Sequence, residues 1–328
     1  MDPATLRKDG SADLLPPSRL APQPADPRPV LLVLAPTHRG SPPFSARQDA
    51  LAGLAALERI SAQHGVVPTY ALDHALAADG RQLEPLINLC GSGRAELAAH
   101  LVPALTPPLD GTPAPLMPGN LKRELEREKL GVLLERIAGR LGSRPTVLVA
   151  ARAGVGKSSP GLFTEAGIRV DASLTPGFDL RAEGGADLRA FPASPYFYPA
   201  VPELLGVPQT GALLSPASAR VESLAAAARL VGLERPVAFD VGAGSAARNL
   251  RLVDVLLARG VRVFTLVARV EDFTGPRGSQ SAATFAAVLV RMLGALGARA
   301  STHAGLWSEI GRLPEVDGPY AKSRRARV

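Results

Sequence analysis

The chain contains a single cysteine, Cys90, in 328 residues, and aromatic residues make up only 4% of it. One cysteine excludes an internal disulfide bond and any zinc site built from cysteine pairs. No apolar run approaches the roughly 20 residues that a membrane-spanning helix needs. Residues 1–29 also lack the apolar segment of a secretory signal. We therefore expect a cytoplasmic protein without a membrane span.

The two ends of the chain differ in composition from its middle. Residues 1–29 contain seven prolines and no periodic apolar pattern, which predicts a disordered leader. The formal net charge is +7, and part of it lies in a cluster at 313–328 that is typical of a flexible basic tail. The rest is only mildly basic and gives no strong signal for nucleic-acid binding. Residues 30–312 show no break in composition and are interpreted as one domain.

Strand-like and helix-like apolar patterns alternate about seven times between residues 30 and 300. This alternation favours an α/β fold of parallel strands joined by crossover helices, either a barrel or a doubly wound sheet. In a barrel, chemistry takes place at the carboxyl ends of the strands. Residues 174–217 are interpreted as irregular. The expected strands are 30–35, 66–72, 95–101, 146–151, 168–173, 236–240 and 261–268, and the expected helices are 45–64, 73–89, 121–141, 161–167, 219–232, 246–259 and 281–296.

One segment, residues 151–158, differs by one residue from the phosphate-binding loop G-x-x-x-x-G-K-[ST], because Ala151 stands in place of the first glycine. If the loop is functional, Lys157 and Ser158 bind the phosphates of a nucleotide, and Asp240 is the candidate acid for magnesium. Against this interpretation, Pro160 follows almost directly and disfavours the long helix that such a loop begins.

Several strand ends, taken in order, resemble the polysaccharide deacetylase superfamily with its NodB-homology fold. The run ELAAHLVP at 96–103 resembles the element E-I-G-A-H-x-H-P. PGNLKRELEREKL from residue 118, ARAG at 151–154 and GIRVDAS from residue 167 resemble the WalW-type branch. The resemblance covers roughly residues 30–300 and implies a distorted (β/α)7 barrel.

The resemblance implies an activity as well: hydrolysis of N-acetyl groups on sugars, with a divalent metal such as zinc polarising the amide carbonyl. Three of the matching positions have changed. Pro36 stands where the family has an acid, Val102 where it has the second histidine of His-x-His, and Arg269 where it has a late-strand histidine. Proline cannot accept a proton or bind a metal. We therefore expect a protein that is catalytically impaired or inactive, although Arg152 matches a retained arginine.

Two histidines are the candidate metal ligands. His100 belongs to the family element, and His38 stands at the same strand end as the lost acid. With Asp73 or His74 nearby, the two could form a relocated metal site. One histidine alone is too few, because a working zinc site usually has three protein ligands. The alternative for His100 is a hydrogen-bonded structural role.

The remaining candidates concern ligand binding. Arg152 binds a carboxylate or a sugar phosphate, or else pairs with a structural acid such as Asp171 or Asp179. Tyr196 and Tyr198 stack on a sugar ring, or else cover the barrel with their apolar faces.

Three functions remain open from the sequence. The first is a non-catalytic barrel that binds a carbohydrate, another small molecule or a partner. The second is a hydrolase with a shifted site around His38, His100 and Arg152. The third is a nucleotide-binding protein that uses Lys157 and Ser158.

Overall fold

The structure is a computed structural model that describes residues 14–17, 19–37, 51–109, 114–215 and 234–311. Strands and helices alternate along most of it, as the apolar patterns predict. The strands are β1 (Arg19–Leu20), β2 (Val30–Pro36), β3 (Thr69–Leu72), β4 (Glu96–Leu101), β5 (Val147–Ala150), β6 (Val170–Asp171), β7 (Tyr196–Tyr198), β8 (Val201–Gly206), β9 (Gly211–Leu214), β10 (Arg235–Ala238), β11 (Val263–Val267) and β12 (Arg299–Ala300). The α-helices are α1 (Leu54–Gln63), α2 (His74–Ala78), α3 (Gly80–Gly91), α4 (Arg123–Leu141), α5 (Ser159–Glu165), α6 (Ala246–Ala258), α7 (Gly278–Leu289) and α8 (His303–Ile310).

Seven parallel strands lie in the order β11-β2-β3-β4-β5-β6-β8, and the short β12 also pairs in parallel with β2. Helices cover the outer face, so strands such as β2 are buried along their whole length. Parallel strands covered on both faces are continuous apolar runs, and this is why VLLVLA predicts a strand without any alternation. The expected α/β barrel is confirmed.

The barrel closes between β8 and β11 through irregular hydrogen bonds, which makes it distorted. Thr210 N donates to Thr265 O at 3.2 Å, and Thr265 N donates back to the Thr210 hydroxyl at 2.8 Å. Phe239 N then donates to Thr210 O at 2.8 Å. The segment leading out of β10 therefore fills the gap that a further parallel strand would occupy.

The helix expected over residues 73–89 is two helices, α2 and α3. Asp73 caps α2 by accepting a hydrogen bond from Leu76 N at 2.9 Å. Asp79 then caps α3 by accepting from Arg81 N and Gln82 N. A second aspartate in an extended conformation interrupts the helix, because its side chain replaces the backbone partner of the new first turn.

The start of α4 also differs from expectation. This helix was expected from residue 121, but it begins at Arg123 with Lys122 in the cap position. The Asn120 side chain instead donates to Gly184 O at 3.0 Å. It therefore joins two loops rather than stabilising a helix end.

Two further expectations need correction. Residues 14–17 and 19–29 of the expected disordered leader belong to the described structure: β1 pairs with β7, and Leu14 and Ala21 are buried. The expected irregular region 174–217 contains β7, β8 and β9, because short buried strands interrupted by proline and glycine give little periodic signal. The expected helix at 219–232 and the tail at 313–328 lie outside the described residues. Within the described ranges, no helix is long and apolar enough to cross a membrane.

Candidate functional site

The carboxyl ends of the parallel strands surround a cavity of about 430 Å³, here called the mouth. Pro36 ends β2, His100 is the penultimate residue of β4, and Ala150 ends β5, and all three line the mouth. Arg152 and Arg269 line it from the segments that follow β5 and β11. The structure thus brings together four of the strand-end residues that the sequence singled out, namely Pro36, His100, Arg152 and Arg269.

Arg269 lies between two buried carboxylates. Its Nη1 donates to Asp240 Oδ2 at 2.6 Å and lies 3.6 Å from Asp272 Oδ2. Asp240 and Asp272 are 4% and 6% exposed, and the nearby guanidinium helps to offset their loss of hydration. A Cβ at position 242 would collide with the Asp272 carboxylate, which explains the glycine there. These three charged residues are called the mouth triad.

Asp240 is fixed from both its side chain and its backbone. Its Oδ1 accepts hydrogen bonds from Gly242 N at 2.8 Å and Ala243 N at 3.1 Å. The buried side chain of Asn249 in α6 accepts from Asp240 N and donates to Asp240 O, both at 3.0 Å. The sequence suggested Asp240 only as a magnesium ligand for a nucleotide. In the structure its carboxylate is engaged by a guanidinium and two backbone amides.

Arg152 reaches the mouth from a strained turn. Arg152 and Ala153 have φ values of 57° and 53°, in the left-handed region that residues other than glycine rarely adopt. The Arg152 guanidinium forms an ion pair with Glu183, which also lines the mouth. Pairing with an acid was one of the two alternatives, but the acid is neither Asp171 nor Asp179.

Tyr196 and Tyr198 lie inside the protein, where they are 1% and 2% exposed. Their rings pack edge to face with centroids 5.3 Å apart. The Tyr198 hydroxyl donates to Asp171 at 2.5 Å. Burial raises the pKa of Asp171, while hydrogen bonds from Ser173 and Tyr198 oppose the shift. Neither tyrosine lines the mouth, whereas the half-buried ring of Phe178 does.

The proposed metal ligands are only partly brought together. His100 lines the mouth and is 3% exposed, whereas Val102 is buried and does not line it. Asp73 and His74 do not line it either, and His38 lies outside the described residues. Among the residues that the structure describes, no three His, Cys, Asp or Glu side chains are grouped to hold a metal ion. The described donor set therefore does not fit a catalytic divalent metal.

The segment that resembles a phosphate loop uses its backbone amides within the protein. Gly154 N donates to Ala151 O at 3.0 Å, and Gly156 N donates to the Ser159 hydroxyl at 2.9 Å. That hydroxyl donates in turn to the buried Glu126 carboxylate at 2.6 Å. The helix that follows, α5, has only seven residues. These amides are not directed at a phosphate, so the structure gives the nucleotide interpretation no support.

The glycines of this segment serve close packing instead. A Cβ on Gly156 would lie 2.7 Å from Gly119 O, and one on Gly154 would lie 2.5 Å from the Met117 Cβ. Gly119 N donates to Gly154 O at 2.7 Å. Lys157 is exposed at the surface. The motif-like spacing therefore reflects contact between two backbone segments.

The sequence missed or misjudged three mouth residues, Phe178, Glu183 and Asp240, and also Asp272, which lies next to Arg269 without lining the mouth. Glu183 and Phe178 belong to the loop that was interpreted as irregular, and Asp272 follows β11 in an unpatterned stretch. The only available signal for Asp240 was its position directly after an apolar strand.

No protein-family model and no curated protein matches the sequence. Among solved structures, the chain is similar to a putative polysaccharide deacetylase from Mycobacterium smegmatis, with a TM-score of 0.52 and 17% identity over 84% of this chain and 89% of that one. It is also similar to PuuE allantoinase, with a TM-score of 0.51 and 13% identity over 82% of this chain and 86% of the other. At these identities the likeness shows the fold. The chain has the deacetylase-like (β/α) barrel that its strand-end motifs predicted.

Proposed function

We propose that this chain is a polysaccharide deacetylase-like barrel that binds a carbohydrate or a similar small polar molecule at its mouth. We further propose that it has lost metal-dependent hydrolysis of N-acetyl groups. One observation carries the second part: Arg269 stands at the strand end where the resemblance implies a histidine, and it is ion-paired with Asp240. A guanidinium stays protonated in proteins, so it cannot transfer a proton as a general acid.

Two other strand ends support this loss. Pro36 lines the mouth where the resemblance implies an acid, and its side chain has no group that could act as a base. His100 is a single ligand, whereas a catalytic zinc site usually has three ligands from the protein. The described residues therefore lack both the base and the ligand set of the inherited reaction.

Ligand binding is supported by the chemistry of the mouth. A cavity of about 430 Å³ falls in the range of small-molecule sites. Phe178 offers a partly exposed aromatic ring, and Arg152, Arg269 and Glu183 offer polar groups around it. Saccharides bind to such combinations because their C–H faces pack on rings while their hydroxyls form hydrogen bonds. A cytoplasmic location is part of this proposal.

Incubation with N-acetylated oligosaccharides tests the loss of activity. We expect no acetate release above the buffer control with added zinc, nickel or cobalt. Calorimetry with the same oligosaccharides should nevertheless detect binding that weakens in Phe178→Ala. Metal-dependent acetate release that disappears in His100→Ala would contradict the proposal.

A hydrolase with a relocated metal site is the second candidate, because His100 lines the mouth. In this candidate His38 supplies the missing ligand. Calorimetry with zinc, nickel and cobalt separates the two proposals. Micromolar binding that is abolished by His38→Ala with His100→Ala would favour the hydrolase, and absence of binding would rule it out.

A further inference from the structure

The loop that borders the mouth contains the tripeptide Asp-Leu-Arg twice, at residues 179–181 and 187–189. The two copies lie opposite each other, because Asp179 and Asp187 form an antiparallel bridge. Hydrogen bonds between the two strands flank this bridge, from Leu188 N to Phe178 O at 2.8 Å and from Leu180 N to Ala186 O at 3.0 Å. Residues 177–188 are therefore a two-stranded hairpin, here called the mouth hairpin.

The mouth hairpin has an apolar inner face and a charged outer face, because successive residues of a strand point to opposite sides. On the inner face, Phe178 and Leu180 line the mouth. Ala186 and Leu188, on the same face, are buried. The outer face carries four charged side chains that are between 32% and 57% exposed and do not line the mouth. These four residues are called the clasp: Asp179, Arg181, Asp187 and Arg189.

The clasp is a network of charge-assisted hydrogen bonds rather than a single surface ion pair. Each aspartate accepts from the backbone N and from two guanidinium nitrogens of the arginine two residues later, with Nη2 at 2.7 Å in the first copy and 2.6 Å in the second. The cross contacts between the copies are Arg181 Nη2 to Asp187 Oδ2 at 3.6 Å and Arg189 Nη2 to Asp179 Oδ2 at 3.3 Å. The bidentate contacts fix each arginine, and the cross contacts join the two strands.

Salt, rather than pH, is the variable that loosens the clasp near neutral pH. Hydrogen bonds from Arg181 and Arg189 hold the pKa values of Asp179 and Asp187 below their usual range, so both carboxyls are ionised. The attraction within the clasp weakens as ionic strength rises, because salt screens charges that are exposed to solvent.

We propose that the clasp is a positioning device that holds Phe178 and Leu180 against a saccharide in the mouth. It fixes the two strands of the mouth hairpin from the outer face, and this fixes the side chains on the inner face. A ring that is already held in place loses little conformational freedom when a sugar packs on it, so affinity falls when the clasp is loosened. The affinity for an uncharged saccharide therefore depends on salt.

This inference rests on the proposed saccharide binding, and calorimetry on the full chain with the fully N-acetylated glucosamine trimer tests it. The dissociation constant of the wild type should rise about threefold between about 0.05 M and about 1 M sodium chloride. Asp187→Asn keeps the size of the side chain and removes its charge. This variant should show the weaker affinity already at low salt and should lose most of the salt dependence.

Glu165→Gln is the matched control. Glu165 also pairs with two arginines, Arg123 and Arg127, at an exposed position, and it does not line the mouth. The control should bind the trimer with the affinity and the salt dependence of the wild type. Any general effect of salt on the mouth appears equally in the control, so only the difference between the two variants reports on the clasp.

Hydrogen exchange without ligand measures the mouth hairpin directly. The amides of Leu180 and Leu188 donate across the hairpin, so their exchange reports its opening. In the wild type they should exchange faster at high salt than at low salt. In Asp187→Asn they should exchange fast at both, whereas Glu165→Gln should match the wild type.

The two measurements separate this inference from the proposed function. Exchange in Asp187→Asn that equals the wild type would overturn the inference whether or not the trimer binds. Faster exchange with unchanged affinity for the trimer would also overturn it and would leave the proposed function standing. A wild type that binds no trimer at any salt concentration would overturn the proposed function and the inference together.

Discussion

Two polar clusters lie at opposite edges of the same sheet. They differ in whether any of their polar groups face the mouth. At the amino edge, Glu96 accepts hydrogen bonds from His303 N at 3.0 Å and Ala304 N at 2.9 Å. Thr69 donates to Glu96 at 2.5 Å, and its hydroxyl lies 2.8 Å from His303 Nδ1. These residues, here called the base cluster, cap the first turn of α8 and cover it from solvent.

The mouth triad uses the same kinds of groups differently. Its carboxylates are as well buried as the base cluster, but Arg269 keeps one side toward a cavity. A buried acid paired with a cation or an imidazole is therefore no sign of function by itself. A functional site is indicated instead when a charged side chain such as Arg269 also lines the mouth, a cavity that is large enough for a ligand.

Removing the cation of the mouth triad should have the largest effect. Arg269→Ala removes the cation that pairs with the buried Asp240 carboxylate, so we expect the free energy of unfolding to fall by about 4 kcal/mol. Urea denaturation measures this. Arg181→Ala is the matched control, because Arg181 also pairs with two aspartates but is mostly exposed; it should cost less than about 1 kcal/mol. If Arg269→Ala and Arg181→Ala lower the free energy of unfolding equally, the buried ion pair contributes no more to stability than the exposed one.

The base cluster should make stability depend on pH. Burial lowers the pKa of His303 from 6.5 to about 4, and the nearby Glu96 partly opposes the shift. Below pH 6.5 the unfolded chain takes up a proton that the folded chain refuses. This contribution to stability is therefore complete above pH 6.5 and declines by about 3 kcal/mol as the pH falls to 4.

Urea denaturation of the wild type and His303→Gln across this range checks the prediction. The difference in unfolding free energy between them should shrink steadily toward pH 4. His64→Gln, at the end of α1, controls for the loss of one imidazole. A constant difference for His303→Gln would mean that folding does not change the pKa of His303.

The mouth should carry backbone strain at the turn that presents Arg152. Ala153→Gly should raise the free energy of unfolding by about 1 kcal/mol, because glycine adopts the left-handed conformation without steric cost. Ala283→Gly at an exposed position in α7 should lower it by about as much. Thermal denaturation of both variants measures these two changes in stability. If both variants are less stable than the wild type, the turn at Arg152 and Ala153 is not strained.

The sequence predicted the parallel barrel because its strands are short apolar runs separated by clear helices. It also singled out Pro36, His100, Arg152 and Arg269 as strand-end positions, and the structure places these four around one cavity. It could not predict Glu183 as the partner of Arg152, because that contact depends on how a long loop folds back.

The aromatic run at Tyr196 and Tyr198 shows a second limit. Alternation along a strand separates its two faces but does not say which face meets solvent. In β7 both faces are covered, so rings that looked suited to a sugar lie against Asp171 and each other. Phe178, in a loop without periodicity, reaches the mouth instead.

The contact between Gly119 and Gly156 has a consequence for engineering this barrel. A Cβ at position 156 would lie 2.7 Å from Gly119 O, and the segment around Gly156 continues from the turn that carries Arg152. If a chimaera takes only one of these two segments from another barrel, the new backbone must pack against the Gly119 or Gly156 segment that is retained, and the close contact is lost unless the two backbones still fit. The segments around Gly119 and Gly156 therefore form one transferable unit, and the geometry of Arg152 travels with it.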